Sequence, residues 1–414
     1  RTRVRCALQP RSTTFYPHLA YHSPMRIAMV GPFGLHPKQT MRSRALGLAR
    51  PLAARGHAVR LLMPPWETPD EAGREWNEDG VELRYVPLRG GVPGITRQLL
   101  RETLAWQPDV VHCFKPKAYS GLVAEWIWRF HRRQIRLIVD SDDWEGSGGW
   151  NDLADYSPVQ KRFFARQERW GLTHCHRITV ASRTLESLVW SLGVPAERVT
   201  YVPNGPGIPM QEVPPGKRTA ARARLGLGER PVVLVYSRLF EFDTGRLVDV
   251  LAGVRAAVPD LAVLLVGAGL YEADHDRFRA ELDGAGLAGA VVDVGWVELG
   301  ALPETLSAAD VGLYLMDDTL LNRTKCPVKL ADMLSVGLPV VAEAVGQVTE
   351  YVRDGRTGAL YESGDTAGLV EATAALLCDA EERGRRGAAA RTDILRRFGW
   401  ESLAAKAEEI CRQT

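Results

Sequence analysis

Residues 322–334 combine cations, a carboxylate and a proline at spacings that suit the binding of a diphosphate. Lys329 and Asp332 are three positions apart, so they share one face of a helix. Pro327 lies where that helix should begin, because the fixed φ of proline suits a first helical turn, and the free amides of such a turn bind anions. We therefore expect Lys329 and these amides to hold a diphosphate and Asp332 to hold a ribose, with an ordinary surface ion pair as the alternative. Arg238, which follows a separate apolar run, is expected to supply a second cation.

A second candidate site is the acidic run of Asp140, Asp142 and Asp143, at the end of another apolar run. Three carboxylates in four positions could ligate a hard cation such as Mg²⁺, could raise one pKa to make a general acid or base, or could bond the hydroxyls of a sugar. A helix-capping acidic loop is the other interpretation, but burying like charges without purpose is costly, which favours a substrate role. His112 and Lys115 end a neighbouring run and are expected to face the same crevice, although a core histidine bonded to backbone fits His112 equally well.

The loop after the first apolar run begins with Gly31 and contains Gly34. In a doubly wound sheet the carboxyl ends of the strands line the ligand crevice, and glycines there let backbone amides approach a phosphate or a sugar. We expect Gly31 and Gly34 to do so, with a tight turn that binds no ligand as the alternative. The pattern is G-x-x-G and no acid ends the next strand, so the loop does not match a dinucleotide fingerprint.

Tryptophans flank the acidic run in the sequence, and residues 125–133 form a segment that is both aromatic and basic. Trp144, Trp150 and Trp170 could stack on sugar faces or acyl chains, although a hydrophobic core is the commoner place for tryptophan. The basic and aromatic segment suggests a helix at the surface of an anionic membrane, whereas a helix between two strands must bury one face in any case. Both interpretations stand for this segment.

The elements that must position these residues follow from hydrophobic periodicity. Short apolar runs alternate with amphipathic segments of helical length, which is typical of parallel sheets covered by helices. The predicted strands cover 26–30, 58–63, 81–87, 109–113, 135–140, 177–181 and 199–203, and then 232–237, 261–267, 291–294, 311–316, 339–342 and 358–360. The stretch richest in proline and glycine, 204–216, separates the two groups and predicts a linker between two Rossmann-like halves.

Length and composition agree with a chain of more than one domain. The 414 residues are 45% hydrophobic and 25% charged, which is the balance of a globular protein of two or three domains. With 52 basic and 50 acidic residues the net charge is +2, so nothing in the total predicts a nucleic-acid partner. Six scattered cysteines suggest a reducing compartment and neither a zinc site nor a disulfide framework. Residues 1–24 are expected to form a disordered or over-extended leader, with Met25 as the natural start.

Several motifs in one order resemble those of a known enzyme family. They are 202–205 (VPNG), 237–239 (SRL), 326–334 (CPVKLADML), 337–342 (GLPVVA), Gly346 with Glu350, 354–358 (DGRTG) and 398–401 (FGWE). Together they resemble the retaining glycosyltransferases of the GT-B fold that use nucleotide sugars (glycosyltransferase group 1, family 4-like), from Met25 to about Trp400. The resemblance implies an α/β fold of two Rossmann-like parallel-sheet domains facing a cleft. It places an acceptor-side domain at 25–206, a nucleotide-sugar domain at 207–396, and a C-terminal helix at 397–414 that packs back onto the first domain.

The resemblance also implies roles for single residues. Arg238 and Lys329 would bind the donor diphosphate, and Asp332 stands where the family usually has a ribose-binding glutamate. The expected donor-binding residues are Gly31, Gly34, Ser237, Arg238, Cys326, Pro327, Val328, Lys329 and Asp332. The expected acceptor-side residues are His112, Lys115, Asp140, Asp142 and Asp143, and the expected catalytic residues are Arg238, Lys329, His112 and Asp142.

The sequence departs from the family pattern at three positions. Of two glutamates that the family often has eight positions apart, the later is Asp332 and the earlier is replaced by Thr324. A lysine that commonly follows the arginine is missing from 240–245, so Lys329 is expected to take its place. A histidine that many members have two positions after His112 is here Phe114.

The activity implied is transfer of a sugar from a nucleoside-diphosphate sugar to an acceptor, with retention and without a metal or other cofactor. The acceptor would be a glycan, a lipid or a small molecule, and the location cytoplasmic, with peripheral contact at the inner face of a membrane. Because Thr324 and Phe114 depart from the pattern, a catalytically silent protein that binds nucleotide sugars is an alternative. A nucleotide-sugar epimerase of the same fold is a second alternative.

Overall fold

A computed structural model describes residues 23–37, 39–267 and 272–413 of the chain. The expected leader therefore lies outside the described residues, except for its last two positions. Among the described residues no helix is long and apolar enough to cross a membrane.

The first sheet contains eight strands in the order β3-β4-β2-β1-β5-β6-β7-β8. Their bounds are β1 (Arg26–Val30), β2 (Ala58–Met63), β3 (Glu75–Glu78), β4 (Val81–Tyr85), β5 (Val110–Phe114), β6 (Arg136–Ser141), β7 (Arg177–Val180) and β8 (Val199–Tyr201). The helices of this part are α1 (Leu46–Ala54), α2 (Gly91–Ala105), α3 (Ala118–Phe130), α4 (Trp150–Leu153), α5 (Pro158–Thr173) and α6 (Arg183–Ser191). A π-helical turn at Met41–Ala45 leads into α1. All neighbouring pairs are parallel except β3 with β4. The central strands are apolar along almost their whole length because helices cover both faces of a parallel sheet.

The second sheet contains six parallel strands in the order β11-β10-β9-β12-β13-β14. Their bounds are β9 (Val232–Tyr236), β10 (Ala262–Val266), β11 (Val291–Asp293), β12 (Val311–Tyr314), β13 (Val340–Glu343) and β14 (Gly358–Tyr361). The accompanying helices are α7 (Pro215–Arg224), α8 (Thr244–Ala257), α9 (Glu272–Gly284), α10 (Leu302–Ser307), α11 (Leu320–Thr324), α12 (Val328–Ser335), α13 (Val348–Tyr351), α14 (Thr366–Cys378) and α15 (Ala380–Phe398). In both sheets the order reverses beside the first strand, β1 or β9, and this reversal creates a crevice at the carboxyl ends of the strands.

The last helix, α16 (Trp400–Arg412), returns to the first sheet and packs against α1. The indole N–H of Trp400 donates to the carbonyl of Pro206 at 2.7 Å, in the segment that joins the two sheets. Its ring lies against Gly47 of α1 and Gly205, where a Cβ would come within 3 Å of it. The C-terminal helix thus ties the connecting segment to the first domain.

The strand β3 is absent from the sequence-based prediction. Its residues Glu75–Glu78 contain no apolar run, since it is the edge strand and pairs with β4 in the antiparallel direction. The turn between the two strands contains Asp79 and Gly80, both with positive φ. An Asp-Gly pair is a strong hairpin signal, and it was available in the sequence.

Candidate functional site

The start of α12 presents free amides and a cation at the carboxyl edge of the second sheet. The helix begins at Val328 with Pro327 as its N-cap residue, which confirms the predicted helix start. The first bond into this turn is the one that Ala331 N–H donates to the carbonyl of Pro327. The N–H groups of Val328, Lys329 and Leu330 have no acceptor within the described part of the chain. These amides and the positive end of the helix dipole form an anion-binding position.

Two cations lie at this position without an anionic partner. Neither Arg238 nor Lys329 forms an ion pair or hydrogen bond with any residue that the structure describes, and both are only partly exposed. The ammonium of Lys329 lies 5.4 Å from the centre of the Tyr236 ring, beside β9. Burial lowers the pKa of Lys329 to about 7, with Glu241 as the nearby charge that most opposes this shift. An anion bound here would restore the charged form of Lys329.

Ser237 shapes the loop that holds Arg238. Its N–H donates to the carbonyl of Val266, and its Oγ accepts from the N–H of Leu239 at 3.0 Å. Leu239 adopts a positive φ of 61°, so the chain turns sharply just after Arg238. The backbone N–H and the Oγ of Ser237 thus shape this turn, and its expected contact with the donor stays a prediction.

Asp332 binds the connecting segment and not Lys329. Its Oδ1 accepts from the N–H groups of Gly207 at 2.6 Å and Ile208 at 3.3 Å. Burial raises its pKa to about 7, although these two bonds oppose the shift. No ion pair joins it to Lys329 among the described residues, so the surface-pair interpretation is wrong. Gly207 and Ile208 thus hold one carboxylate oxygen, and the expected ribose contact of Asp332 stays a prediction.

The glycine loop after β1 is closed by packing. The N–H of Gly31 donates to the carbonyl of Leu62, and a Cβ at Gly31 would lie 2.4 Å from Met41 Cε. A Cβ at Gly34 would meet the hydroxyl of Tyr85 at 3.1 Å. Both glycines are buried. The expectation that Gly31 offers its amide to a phosphate is therefore corrected, because that amide belongs to the sheet.

The acidic run forms a charged cluster at the carboxyl end of β6. Lys115 Nζ lies 2.8 Å from Asp143, 3.3 Å from Asp142 and 3.6 Å from Glu145. Glu145 also pairs with Lys117 at 2.5 Å. Asp142 is buried, and its Oδ1 has no hydrogen-bond partner among the described residues. Burial raises the pKa of Asp142 to about 7, with Lys115 opposing the shift.

Asp140 and His112 lie deeper and are engaged by the protein. Arg44 binds Asp140 through two hydrogen bonds of 2.6 Å each, and Thr179 donates to the same carboxylate at 2.5 Å. His112 Nε2 lies 3.1 Å from Thr179 Oγ1, and its ring packs on Phe114 at 4.4 Å between ring centres. Burial lowers the pKa of His112 to about 4, so the ring is neutral at pH 7. His112 is thus a buried histidine, although its partner is the Thr179 hydroxyl and not the backbone that the alternative named. The expected contacts of Asp140 and His112 with an acceptor stay a prediction.

Cys326 has structural contacts through its sulfur, and its expected contact with the donor stays a prediction. The N–H of Asn204 donates to its sulfur at 3.1 Å, and Tyr351 Oη lies 3.0 Å from the same sulfur. The side chain of Asn204 joins Arg44 Nη1, at 2.9 Å, to the carbonyl of Cys326, at 3.0 Å. A continuous buried network thus runs from Asp140 through Arg44 and Asn204 to the second domain.

Sequence reasoning missed Arg44, Lys325 and Glu241. Arg44 lies in a predicted helix among apolar residues. The sequence does not show that this arginine is buried, because its partner Asp140 is far away in the chain. Lys325 Nζ lies 3.7 Å from Glu241 Oε1, and it faces the cleft between the two sheets beside Trp150 and Phe240. Among the described residues, no group of three or more His, Cys, Asp and Glu side chains is arranged to hold a metal ion.

Comparison with known proteins gives consistent matches over both halves. Residues 39–205 match the family described as Glycosyl transferase 4-like domain, and residues 230–379 match Glycosyl transferases group 1. The chain is 30% identical to a D-inositol 3-phosphate glycosyltransferase of Nocardioides sp. over 415 residues, which cover 90% of this chain and 85% of that protein. It is 26% identical to the phosphatidyl-myo-inositol mannosyltransferase of Mycobacterium leprae, with 92% and 95% covered. It is also 26% identical to the 2-deoxystreptamine N-acetyl-D-glucosaminyltransferase of Streptomyces fradiae, with 88% of each covered.

Solved structures share the fold at lower identity. The Anabaena protein Alr3699/HepE in complex with UDP and glucose superposes with a TM-score of 0.72 at 17% identity, covering 93% of this chain and 98% of that one. A sucrose-phosphate synthase from Thermosynechococcus elongatus gives 0.71 at 20% identity, with 94% and 98% covered. The two sheets and their order are therefore those of a GT-B structure.

Proposed function

Because the chain belongs to the group 1 glycosyltransferases of the GT-B fold, and is therefore a glycosyltransferase with a nucleotide-sugar donor, we propose that it transfers the sugar with retention and without a metal ion. The observation that carries this proposal is the pair of unpartnered cations, Arg238 and Lys329, beside the free amides of α12. Fixed positive groups placed where a diphosphate leaves stabilise the negative charge that develops in the transition state. They can do so without the divalent cation that other transferases recruit.

Retention is supported by the product bond that one relative's name states. A relative from Mycolicibacterium smegmatis, 29% identical over 365 residues, is a GDP-mannose-dependent alpha-(1-6)-phosphatidylinositol monomannoside mannosyltransferase. GDP-mannose holds its mannose through an α bond, so an α product means that the configuration is kept. We extend this stereochemistry to the present chain.

The acceptor is proposed to bind beside Asp142. The relatives are named for acceptors built on inositol or 2-deoxystreptamine, which are polyhydroxylated six-membered carbon rings. Asp142 Oδ1 makes no hydrogen bond among the described residues and lies 3.3 Å from Lys115 Nζ. This ion pair holds the oxygen that we propose accepts a hydrogen bond from a ring hydroxyl. A polyhydroxylated ring, free or on a lipid, is therefore the proposed acceptor class.

The stereochemistry of the product and the effect of a chelator test the proposal together. The chain is incubated with UDP-glucose, GDP-mannose or UDP-N-acetylglucosamine, and with inositol phosphate or phosphatidylinositol, in the presence of EDTA. An α-linked product by NMR, formed at the same rate with EDTA, is the expected result. A β-linked product, a requirement for added metal, or an epimerised donor without transfer would each contradict the proposal. Donor binding with no turnover on any acceptor would point to the silent binding protein.

Donor affinity is expected to fall as the pH rises from 6 to 9. Only the protonated form of Lys329 attracts the diphosphate, and its pKa is about 7 in the free protein and higher once the diphosphate is bound. Between these two pKa values the affinity drops by up to about tenfold per pH unit. Ionisation of Asp332, whose pKa is also about 7, acts in the same direction.

Titration calorimetry with an intact nucleotide sugar measures this dependence cleanly, because its diphosphate does not titrate in this range. The variant Lys329→Arg, which stays charged, should show a flatter profile. An affinity that is constant from pH 6 to 9 in the wild type would overturn the assignment of Lys329.

We propose that the protein works in the cytoplasm, in peripheral contact with the inner face of a membrane, through a surface formed by α3 and α5. Its exposed apolar side chains include Trp126 (47% exposed), Phe130 (61%) and Val159 (76%). The same helices and the turn after α3 also carry exposed basic residues, namely Arg129, Arg132, Arg133, Arg162, Arg166 and Arg169. Exposed apolar and basic side chains on the same elements fit an anionic lipid surface. A lipid-linked acceptor would be reached in this orientation.

Replacing both Trp126 and Phe130 by serine is expected to reduce binding to phosphatidylglycerol vesicles about tenfold or more, since each aromatic side chain contributes apolar area to the bilayer. Sedimentation with vesicles measures the effect. The matched control is Trp296→Ser, which removes a tryptophan with 60% exposure from the second domain. Equal loss in both variants, or none in either, would contradict this membrane surface.

A further inference from the structure

A buried ammonium group without a hydrogen bond lies between the two halves of the site. Lys325 is 8% exposed, and its Nζ has no hydrogen-bond partner among the residues that the structure describes. Its nearest carboxylate is Glu241, whose Oε1 lies 3.7 Å away, too far for a hydrogen bond. A buried charge that the protein itself leaves unsatisfied costs free energy, and such a group calls for a ligand or an explanation.

Aromatic rings from both domains enclose this ammonium. Lys325 Nζ lies 4.2 Å from the centre of the Phe240 ring, in the second domain. It lies 5.3 Å from the ring of Trp150, on α4 of the first domain, and the two rings are 5.9 Å apart. The indole N–H of Trp150 is also buried and has no acceptor in the described part of the chain. Two buried donors without an acceptor thus lie close together where the two domains meet.

The charges around Lys325 show which part of the cleft this is. The groups that act on it most strongly are Glu241, then Asp143 of the acidic cluster, and then Arg238 of the donor position. Glu241, the ion-pair partner of Lys325, lines one pocket together with Ser237 and Lys329 of the donor position. Lys325 also lies against Trp150 of the first domain. A sugar that is joined to the diphosphate and attacked by an acceptor on the first domain has to pass beside this lysine.

We propose that Lys325, Glu241 and Trp150 form the subsite for the transferred sugar, and that they select an uncharged sugar with adjacent hydroxyl groups. This inference rests on the proposed function. The ammonium and the indole N–H donate hydrogen bonds to hydroxyl oxygens, and the carboxylate of Glu241 accepts from a neighbouring hydroxyl. Lys325 and Glu241 together are neutral, so the subsite offers no net charge to an amino sugar or a uronic acid. A cation lining a sugar site without a compensating carboxylate would favour the acidic sugar.

The test compares binding of a free nucleoside diphosphate with binding of its sugar conjugate, in wild type and in Lys325→Gln. The probes are UDP with UDP-glucose and GDP with GDP-mannose, measured by calorimetry, and the pair that the wild type binds is used. Lys325→Gln is expected to weaken the nucleotide sugar about 10- to 100-fold, the usual effect of losing a hydrogen bond from a charged donor. Affinity for the free diphosphate should stay within about twofold, because Arg238, Lys329 and the α12 amides are intact. In the comparison variant Lys329→Gln, both affinities should fall.

A second variant, at Glu241, tests whether the neutral Lys325–Glu241 pair selects an uncharged sugar, and it leaves Lys325 in place. Glu241→Gln keeps the size of the side chain but leaves Lys325 unpaired, so the affinity ratio of UDP-glucuronate to UDP-glucose should rise about tenfold or more. Equal losses for the free diphosphate and the sugar conjugate in Lys325→Gln would make Lys325 a diphosphate ligand and overturn the inference. Unchanged binding in Lys325→Gln, or an unchanged ratio in Glu241→Gln, would also overturn it. A wild type that binds neither diphosphate would instead refute the proposed function itself.

Discussion

Replacing Lys329 by glutamine is expected to lower kcat/KM for the nucleotide sugar by about 100- to 1,000-fold, which is the usual effect of removing one group that stabilises developing negative charge. The structure gives a specific reason for a large effect. Lys329 has no ion pair within the described part of the chain, so no protein carboxylate neutralises its charge. It also lies on the first turn of α12, where the free amides face the same anion. The charge of Lys329 is therefore expected to act on the donor diphosphate.

The thermal stability of Lys329→Gln is not expected to fall. A loss of activity in this variant can therefore be distinguished from unfolding. Burial lowers the pKa of Lys329, which means that the folded state disfavours its charge. Removing the charge relieves this penalty, and the melting temperature is expected to stay the same or rise. The matched control is Lys217→Gln, an exposed lysine of α7 that pairs with Glu304. Steady-state kinetics and thermal melting of the two variants decide the matter. Full activity in Lys329→Gln would remove Lys329 from the diphosphate site.

Replacing Arg44 by methionine is expected to destabilise the protein by about 3 to 5 kcal/mol, because breaking a buried ion pair leaves an uncompensated charge in the interior. Arg44 and Asp140 are both fully buried, and two hydrogen bonds of 2.6 Å join them. Methionine is apolar, shorter than arginine and has no donor, so the Asp140 carboxylate would keep only its hydrogen bond from Thr179. The side chain of Asn204 would lose its Arg44 donor in the same variant.

Chemical denaturation measures the loss, with Arg129→Met as the control. Arg129 forms an exposed pair with Glu125 on α3, and exposed pairs contribute at most about 1 kcal/mol. Because the network reaches Cys326 through Asn204, Arg44→Met should also reduce transfer activity below the temperature at which it unfolds. A variant as stable as the control would show that Asp140 is accommodated in another way.

Much of the fold could be predicted from the sequence, since its signals are local. Each predicted strand coincides with an observed one to within three residues at either end, because a buried parallel strand is a short apolar run wherever it lies. The edge strand β3 was missed because one half-exposed antiparallel strand needs no such run. The helix start at Pro327 and the cation Lys329 could be predicted for the same reason. A proline marks a helix start, and its spacing to a nearby lysine fixes where that lysine lies on the helix.

The roles of Asp140, Asp332 and Cys326 could not be predicted in this way. Each is decided by a partner far away in the chain: Arg44 is 96 positions from Asp140, and Asn204 is 122 positions from Cys326. An acidic residue at the end of a strand looks the same in the sequence whether it meets a substrate or a buried arginine. Only the packing of the π-helical turn at Met41–Ala45 against the sheet, and of the connecting segment against α12, distinguishes the two.

The central claim is that this chain moves a sugar from a nucleotide donor by means of fixed protein charges. It is tested most directly by mass spectrometry of reactions with a panel of UDP-, GDP-, ADP- and dTDP-sugars, with an inositol-based acceptor and EDTA. The expected result is release of one nucleoside diphosphate together with an acceptor heavier by one sugar residue, in the wild type and not in Lys329→Gln. Release that requires a divalent metal, or equal product in the wild type and in Lys329→Gln, would contradict the account.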